Sequence, residues 1–515
     1  MNGNTINAIK RARRVSAPLL AVATPDQQAT ARAITDVMTE EVPVISWDIC
    51  TGLAGVNQRG QAAVRSLCAD DGMPPNTMTN LPEVLTMCQR LEPESVLMIC
   101  NAHRYLELAP IESAAVVQAI SNLRDTWKSD GRTLVLLGPG FSFPPEIEQD
   151  VLLETVPYPT PNDLECVITE TFEGVDGVDA PRGADLTRAA ERLRGLAPFS
   201  AEQAVALSVT RYGIDERELQ ARAVQVINST PGLQVVDDAC AFDGIGGVEQ
   251  AKTFFSRLLN GRKKFNAVVW IDEAEKAFAG SSGGGQDSSG VSQGMLGAML
   301  TEMQEAKSEG ALFVGHPGCS KSMLAKALGA EANVPTVCFD MGAMKNSLVG
   351  ESEKRLRTAL RVIRAFAGSQ VLWVATCNDS RTLPMALRRR LASTGTWFFD
   401  LPTPEERSKI WQVYMERFDL TDAREDNGLP SDVDCEGWTG FEIHKCAELA
   451  WTLDVSLGVA AEYIVPVCKA DKEGVQTLRD LANGRFLSAS TPGAYRSTPD
   501  TPRAVARRKV ATGGQ

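Results

Sequence analysis

The chain contains the run Gly315-His316-Pro317-Gly318-Cys319-Ser320-Lys321-Ser322, which directly follows the apolar, strand-like run 311–314. A glycine-containing turn that leads from a strand into a helix opening with lysine and serine is typical of a phosphate-binding loop. In such a loop, consecutive backbone N–H groups surround the phosphates at a helix N-terminus, where the helix dipole also favours an anion. The pattern predicts an α/β fold around this loop.

An acidic strand stands before this loop in the chain rather than after it. The run 267–271 is apolar and ends in Asp272 and Glu273. Two carboxylates at the carboxyl end of a strand suit a magnesium ligand followed by a base that polarises water. In most nucleotide-hydrolysing domains with a phosphate loop, the loop comes first. The sequence therefore predicts a nucleotide site whose two main parts are transposed.

Each residue of the loop has an expected role. Lys321 would reach the β- and γ-phosphates, and the Ser322 hydroxyl would bind magnesium. Ser320 stands where the usual pattern has its last glycine, which lets the backbone pass close to the ligand. The residues expected to contact the nucleotide from this segment are Gly315, His316, Pro317, Gly318, Cys319, Ser320, Lys321, Ser322 and Met323.

Composition excludes several classes of protein. The chain has 515 residues, of which 43% are hydrophobic and 23% charged, as in globular proteins with sizeable cores. Its net charge of −13 argues against general binding to a nucleic-acid backbone. Twelve cysteines without a C-x-x-C pair, together with three histidines, argue against zinc and for reduced thiols in the cytoplasm.

The N-terminus superficially resembles a targeting segment. Basic residues at 10–14 precede the apolar run 17–23, but this run is short, contains Pro18 and leads directly into Asp26 and a helical pattern. We interpret it as a first buried strand rather than a signal peptide. No run approaches the length needed to cross a bilayer. A cytoplasmic location without membrane partners is expected.

The first half of the chain alternates apolar runs with helical patterns. The runs 19–23, 42–47, 96–100 and 133–137 predict a parallel sheet covered by helices. Thr24-Pro25-Asp26 follows the first strand in place of a phosphate loop. Asn101 ends the third strand, where a catalytic domain needs a carboxylate. We therefore expect a nucleotide-free structural or docking domain.

Changes in composition predict five regions. These are an ATPase-like α/β domain without a phosphate loop (1–162), a helical region (163–232), a second α/β domain (233–401), a second helical region (402–485) and a disordered basic tail (486–515). Within the second α/β domain, the Gly- and Ser-rich run 280–290 has the composition of a flexible loop.

Several motifs of the second half resemble those of AAA+ ATPases. They are WIDEAEK at 270–276, GESE at 350–353, VATCND at 374–379, LP at 383–384 and LPTPEER at 401–407. The resemblance is strongest to the AAA proteins named after a chloroplast reading frame, which also occur in bacteria and phages and carry an inactive ATPase-like domain in front of the active one. It implies two parallel-sheet domains of the P-loop ATPase type, each followed by a helical domain, the second being an AAA+ module with permuted strand order.

The resemblance also implies roles for particular residues. Asp272 would be the Walker B magnesium residue, Glu273 the water-activating residue and Asn378 the sensor 1 residue. Arg389 and Arg390 lie where the family places arginines that reach a neighbouring subunit's nucleotide, although the Gly-Arg-Phe-Asp that usually follows is missing. Gly440 lies where the family has the lid segment near adenine and ribose. Gly246 and Gly247 lie where the family has the loop that lines the adenine pocket.

The family's pore loop corresponds to residues 345–350. Leu348 stands at a position that is usually aromatic in AAA unfoldases and grips a substrate chain. An aliphatic residue there argues against robust threading, and ordinary packing explains Leu348 equally well.

The transposed order is compatible with the AAA+ sheet, whose spatial strand order is 5-1-4-3-2. This chain would run through strand 3, then 1, 2, 4 and 5. Two connections are new, from strand 3 to strand 1 and from strand 2 to strand 4. Each crosses the sheet in the same direction as the connection it replaces, which runs from strand 3 to strand 4 or from strand 2 to strand 3. Right-handed crossovers therefore leave each helix on its usual face. Because the site forms where strand ends meet, transposition alone does not destroy it.

The expected function is ATP hydrolysis to ADP and phosphate with Mg²⁺, coupled to remodelling of an unknown protein partner by a homo-oligomer, most simply a hexamer. A second possibility is an ATP-binding scaffold or regulator that hydrolyses little. Ser320, the missing Gly-Arg-Phe-Asp and Leu348 favour the second, and Asp272-Glu273 with Asn378 favour the first. A nucleic-acid motor is disfavoured by the charge and by the lack of a recognition module.

Overall fold

The computed structural model describes residues 3–71, 74–107, 110–175, 177–236, 240–278, 291–345, 351–368, 370–420 and 435–497. The chain divides into two compact units, residues 1–229 with 361–366 (unit 1) and residues 230–360 with 367–515 (unit 2). The predicted flexible loop at 280–290, the pore-loop residues 346–350 and the end of the predicted tail lie outside the described residues.

Unit 1 begins with a six-stranded sheet in the order β3-β2-β4-β5-β1-β6. Its strands are β1 Leu19–Ala23, β2 Val44–Asp48, β3 Gly52–Gly55, β4 Val96–Ile99, β5 Thr133–Gly138 and β6 Leu152–Thr155. Its helices are α1 Gly3–Arg14, α2 Gln27–Val37, α3 Gln58–Asp71, α4 Leu81–Met87, α5 His103–Leu106 and α6 Pro110–Ser129. Among the described residues, no helix of either unit is long and apolar enough to cross a membrane.

The four expected strands of this sheet are present and pair in parallel. Two strands were not anticipated. β3 is glycine-rich and pairs antiparallel with β2 across a tight turn, where Gly52 has φ +69°. β6 is largely exposed, and its apolar residues, Leu152 and Leu153, make up only half of its four positions. Strands of only four residues leave little periodic signal in a sequence.

The second part of unit 1 is mainly helical. It contains α7 Pro161–Glu173, α8 Ala184–Arg192, α9 Pro198–Ser208 and α10 Glu216–Asn228, with a small hairpin formed by β7 Val209–Thr210 and β8 Gly213–Ile214. α7 begins with a capping box, in which the side chains of Thr160 and Asp163 each accept from the other residue's backbone N–H. Leu164, Ile168 and Leu219 belong to the separate core of these helices.

Unit 2 is built on a seven-stranded sheet in the order β15-β14-β11-β13-β10-β12-β9. Its strands are β9 Leu233–Val236, β10 Ala267–Ile271, β11 Glu309–Gly315, β12 Thr336–Phe339, β13 Val371–Cys377, β14 Thr396–Phe399 and β15 Leu487–Ser488. Its helices up to β14 are α11 Glu249–Leu259, α12 Ala274–Ala277, α13 Val291–Glu305, α14 Lys321–Ala332, α15 Met341–Lys345, α16 Glu351–Ala367 and α17 Met385–Leu391.

The central strand order confirms the permuted sheet. From one side to the other the strands are β14, β11, β13, β10 and β12, and adjacent members pair in parallel. Numbered by position, this is the 5-1-4-3-2 order, reached with the acidic strand β10 before the loop strand β11 in the chain. The carboxyl ends of β10, β11 and β13 therefore lie side by side at one edge of the sheet.

Two further strands extend this sheet at its sides. β9 pairs antiparallel with β12, and β15 pairs in parallel with β14. The start of the predicted disordered tail is thus part of the fold: Ala489 is fully buried and Tyr495 packs against Phe398. The Ser-, Thr- and Pro-rich composition of this segment hid the few apolar residues that hold it.

The helical subdomain of unit 2 follows β14. It comprises α18 Pro404–Arg417, α19 Gly440–Leu453, α20 Leu457–Ala461, α21 Val467–Ala470 and α22 Lys472–Ala482. α18 begins at Pro404 because Pro suits the first helical position and Thr403 forms a capping box with Glu406. Trp411, Trp438 and Ile443 belong to the apolar core of this subdomain.

Candidate functional site

The predicted phosphate loop joins the buried strand β11 to the N-terminus of α14. Gly318 has φ +82°, and a Cβ atom added there would lie 2.6 Å from the Thr439 hydroxyl oxygen, so this position requires glycine. Ser320 also adopts a left-handed conformation, with φ 62° and ψ 12°. A serine therefore holds the backbone shape that the usual glycine adopts without strain.

Lys321 is folded back onto the loop. Its ammonium donates to the carbonyl oxygens of Gly315 at 2.7 Å and His316 at 2.6 Å, and to the Asn378 side-chain oxygen at 3.1 Å. Only 7% of the residue is exposed, and burial lowers the pKa of Lys321 from its ordinary value. The three oxygens keep the buried ammonium hydrogen-bonded.

The acidic end of β10 lies next to this helix. The Ser322 hydroxyl donates to the Asp272 carboxylate at 2.9 Å, although the two residues belong to different strand–helix segments. Both face the same cleft. A hydroxyl and a carboxylate oxygen at this separation are the hard ligands that Mg²⁺ prefers, and Mg²⁺ needs few protein ligands because it keeps waters and binds phosphates. The residues therefore fit a magnesium ion.

Glu273 follows Asp272 in a left-handed conformation, with φ 44°. This turn directs the chain from β10 into the short helix α12. The Glu273 carboxylate forms an ion pair with Lys276 at 2.5 Å, and this hydrogen bond raises the pKa of Lys276. The Lys276 side chain is largely exposed and that of Glu273 about half exposed, so the pair contributes little to stability. It does, however, engage the group expected to activate water.

Sequence reasoning missed two residues that connect these parts. Thr376, near the end of β13, donates to the Asp272 carboxylate at 2.6 Å and accepts from the Glu273 backbone N–H at 3.2 Å. Glu275 accepts from the Asn378 backbone N–H at 3.0 Å. Both residues occur within the quoted motifs. Side chains alternate along β13, so Thr376 lies on the same face as Asn378, and this alternation could have indicated Thr376 as a site residue.

These residues line one cleft of about 650 Å³, a size suited to a nucleotide. Its lining includes the basic residues Lys321, Lys326 and Arg417 and the acidic residues Asp272 and Glu273. The helical subdomain closes one side, where the rings of Tyr414 and His444 lie 4.8 Å apart. The lining comprises Cys240, Asp272, Glu273, Pro317, Gly318, Ser320, Lys321, Ser322, Met323, Lys326, Thr376, Cys377, Asn378, Tyr414, Arg417, Gly440, Phe441 and His444.

Some of the predicted nucleotide residues lie outside this lining. Gly246 and Gly247 pack tightly on α18, where added Cβ atoms would meet Ile410 at 2.6 Å and Glu406 at 3.2 Å. The lack of a side chain at these two positions thus allows α18 to approach closely. The backbone N–H of the next residue, Val248, donates to the Glu406 carboxylate of α18 at 2.9 Å. Cys240, six residues before Gly246, does line the cleft.

Three residues of the loop itself also face away from the cleft. Gly315 lies against the Phe399 carbonyl. Cys319 is buried in the sheet core, and burial raises the pKa of its thiol to about 12. His316 is buried, and burial lowers its pKa while Asp400 partly offsets the effect. These residues can offer a ligand their backbone groups but not their side chains.

The two predicted arginines lie on α17, away from the cleft lining. Arg389 and Arg390 are both exposed. The Arg390 guanidinium donates to Gln304 on α13 at 2.8 Å. Within a single chain, the described structure therefore does not bring either arginine to the cleft.

In unit 1, polar side chains and a carboxylate stand where unit 2 has its predicted phosphate loop, at the edge of a cleft of about 750 Å³. The Asp26 carboxylate caps α2 by accepting from the Ala29 N–H at 2.9 Å, and it also accepts from the Phe199 N–H at 3.3 Å. Gln27 and Asn101 form a reciprocal pair, with hydrogen bonds of 2.9 and 2.8 Å. A carboxylate at this helix N-terminus repels a phosphate.

Comparison with protein families matches two parts of the chain. Residues 5–155 match the family described as "SpoVK-like AAA ATPase, N-terminal domain". Residues 311–369 match "ATPase family associated with various cellular activities (AAA)". The second match begins in β11 and includes the phosphate loop, whereas the acidic strand β10 precedes it.

Curated relatives agree with these matches. "Uncharacterized AAA domain-containing protein ycf46" of Trieres chinensis is 21% identical over 382 residues, or 65% of this chain and 68% of that protein. The protein of the same name from Pyropia yezoensis is 25% identical over 35% of this chain and 47% of its own length, so the chain spans less than half of that relative. Human "ATPase family gene 2 protein homolog A" is 40% identical over 65 residues, 13% of this chain and 7% of that protein. The resemblance indicated by the sequence motifs is confirmed.

Proposed function

We propose that this ycf46-like AAA ATPase binds ATP with Mg²⁺ in the cleft of unit 2 and hydrolyses it to ADP and phosphate. The observation that carries the proposal is that the residues following β10, β11 and β13 meet at one edge of the sheet. Ser322 donates a hydrogen bond to Asp272, and Lys321 donates one to Asn378. These residue types in this arrangement provide a phosphate cation, two magnesium ligands and a polar group beside the γ-phosphate.

The chain's own residues would share the work of catalysis. The loop N–H groups and Lys321 would hold the phosphates, and Asn378 would orient the attacking water. Glu273 would accept the proton of that water. Ser322 and Asp272 would hold magnesium, which, when bound, neutralises charge that develops on the phosphates. Catalysis of this type is mainly positioning and electrostatic stabilisation.

The contacts of Lys321 imply an exchange on binding. Its three oxygen partners belong to the protein itself. A phosphate offers a buried ammonium a stronger, charge-assisted acceptor than a neutral carbonyl. Binding of ATP would therefore draw Lys321 away from the loop carbonyls and release the Asn378 side chain toward the γ-phosphate.

The second candidate function, an ATP-dependent scaffold with little hydrolysis, has two observations in its favour. Ser320 occupies a left-handed conformation that disfavours residues with a Cβ atom. Glu273 is engaged by Lys276. Either feature would slow turnover without preventing ATP from binding.

We further propose that the protein acts as a homo-oligomer that remodels a protein partner. Arg389 is exposed on α17 and is absent from the cleft lining of its own chain, as expected of a residue that serves a neighbouring subunit. Unit 1, with Asp26 and the Gln27–Asn101 pair at its strand ends, would pack or recruit rather than bind a nucleotide.

The test compares ATP binding and turnover in the full chain. Glu273→Gln should keep the ATP affinity of the wild type and lower kcat by about 10²- to 10⁴-fold, because a general base is lost. Lys321→Ala should lose saturable ATP binding, since we expect no nucleotide site in unit 1. Lys264→Ala, which changes an exposed lysine before β10, is the matched control.

The outcomes separate the two candidate functions. Equal ATPase rates in the wild type and Glu273→Gln would contradict hydrolysis at this site. Tight ATP binding that depends on Lys321, without turnover in the wild type, would establish the scaffold instead.

A further inference from the structure

The hydroxyl of Thr376 lies at the junction of the two acidic residues. Thr376 is on β13, which pairs in parallel with β10 through the register Ile271 with Ala375. The residue after Ala375 therefore lies beside the point where β10 ends. Only 1% of Thr376 is exposed, so its hydroxyl is shielded from bulk water.

This hydroxyl uses both of its hydrogen-bonding capacities on the acidic pair. It donates its proton to Asp272 Oδ1 at 2.6 Å, and its oxygen accepts from the Glu273 backbone N–H at 3.2 Å. A hydroxyl has one donor and two acceptor lone pairs, so it can serve both groups at once. A hydrogen bond to a carboxylate is stronger than one between neutral groups.

The two contacts control different properties. The first sets the rotation of the Asp272 carboxylate, whose same oxygen also accepts from Ser322. The second holds the N–H of Glu273, whose φ of 44° is unfavourable for a residue with a Cβ atom and must be maintained by its surroundings. Loss of the hydroxyl would free both groups together.

We propose that Thr376 is a positioning residue that aligns Asp272 for magnesium and Glu273 for water activation. The inference rests on the proposed function and adds to it a residue that acts through Asp272 and Glu273 rather than by touching the reacting atoms. When Ser322 turns to magnesium, the Thr376 bond keeps the Asp272 carboxylate in place.

The test measures how much Mg²⁺ strengthens ATP binding, in the Glu273→Gln background, where turnover does not interfere. Thr376→Val replaces the hydroxyl by a methyl group of similar size. It should leave the Kd for ATP in EDTA unchanged and reduce the gain from Mg²⁺ by about tenfold, the effect of losing one charge-assisted hydrogen bond. With Glu273 intact, Thr376→Val should lower kcat by about tenfold or more while changing the KM for Mg·ATP less.

Two matched variants exclude a merely structural role. Thr376→Ser keeps the hydroxyl and should retain both the Mg²⁺ gain and kcat within a few-fold. Thr336→Val removes another buried hydroxyl of the same sheet, which donates to the Lys326 carbonyl at 2.9 Å, and should affect neither quantity. Thermal unfolding of each variant gives the stability comparison, and Thr376→Ala replaces Thr376→Val if the valine variant does not fold.

The results distinguish this inference from the proposed function. A wild type that binds and hydrolyses ATP while Thr376→Val keeps both the full Mg²⁺ gain and kcat overturns the role of Thr376 alone. The role of Thr376 is also overturned if Thr376→Ser loses as much as Thr376→Val. A wild type that binds no ATP overturns the proposed function, and the inference with it.

Discussion

Ser320 holds a left-handed backbone conformation at the position where a phosphate loop usually carries glycine. Its hydroxyl would lie 3.4 Å from a Cβ atom placed on Gly440, so the side chain is directed toward the start of α19. Backbone strain of this kind costs on the order of 1–3 kcal/mol. Ser320 therefore holds a conformation that is unfavourable for a residue with a Cβ atom and that glycine adopts freely.

Ser320→Gly should therefore bind ATP more tightly and turn it over faster, by less than roughly tenfold, because glycine removes the strain. Isothermal titration and steady-state ATPase rates measure the two effects. Ser320→Ala is the control, since alanine keeps the Cβ atom and removes only the hydroxyl. A large loss of activity in Ser320→Gly would mean that the serine is a functional adaptation of this loop.

At the residue scale, the identities of the site residues were readable in the sequence, whereas their contacts were not. Lys321, Ser322 and Asp272 belong to short motifs whose chemistry is local. The ion pair between Glu273 and Lys276 could have been anticipated from their spacing on a helical turn. The bonds of Thr376 to β10 could not, because they depend on the strand register.

The segment 486–497 shows how an element escapes prediction. β15 adds only two residue pairs to β14, Trp397 with Leu487 and Phe398 with Ser488. The segment is then held by the Tyr495 hydroxyl, which donates to Asp400 at 2.6 Å, and Arg479 of α22 donates to the same carboxylate at 2.9 Å. Asp400 thus joins β14, the helical subdomain and the C-terminal segment.

Tyr495→Phe should lower the Tm of the full chain by roughly 2–6 °C, because it removes a hydrogen bond from the partly buried Asp400 carboxylate. Burial, together with the Asp400 carboxylate, also raises the pKa of Tyr495, so the phenol stays protonated and can donate throughout the neutral range. Differential scanning calorimetry provides the measurement. Tyr463→Phe, at an exposed tyrosine of the same unit, is the control, and equal Tm values for the two variants would contradict a stabilising role for the Asp400 contact.

At the scale of the whole molecule, the transposed chain order and the AAA-type sheet are compatible. The phosphate loop and the acidic strand end meet because β11 and β10 both flank β13. Their order along the chain has no effect on this meeting, provided that each connection is long enough and has the usual handedness. The site is thus defined by the sheet and not by the sequence order of its parts.

Arg389→Ala should lower kcat by about 10³-fold or more while leaving ATP affinity nearly unchanged, if this exposed arginine stabilises charge at the nucleotide of a second subunit. Assembly must accompany that role, so ATP should convert Glu273→Gln into rings, hexamers in the simplest case. Light scattering coupled to size-exclusion chromatography measures the mass. Arg390→Ala, whose native side chain contacts Gln304 within the chain, is the comparison.

Two results would count against this assembly. The first is a monomer at every ATP concentration in Glu273→Gln. The second applies if the subunits dissociate on dilution: an ATPase rate per chain that stays the same as the protein is diluted.

The sequence by itself determined the α/β class, the strands of both sheets that carry apolar runs, the permuted order of the second sheet and the residue types at the cleft. These follow from signals within a few positions of one another: apolar runs, turn residues and caps. Only the tertiary structure decided that Gly246 and Gly247 serve helix packing, that residues 486–497 join the fold, and that Thr376 connects the two acidic residues. The physical reason is that these contacts join segments far apart in the chain, and their strength depends on burial and register, which exist only once the sheet has formed.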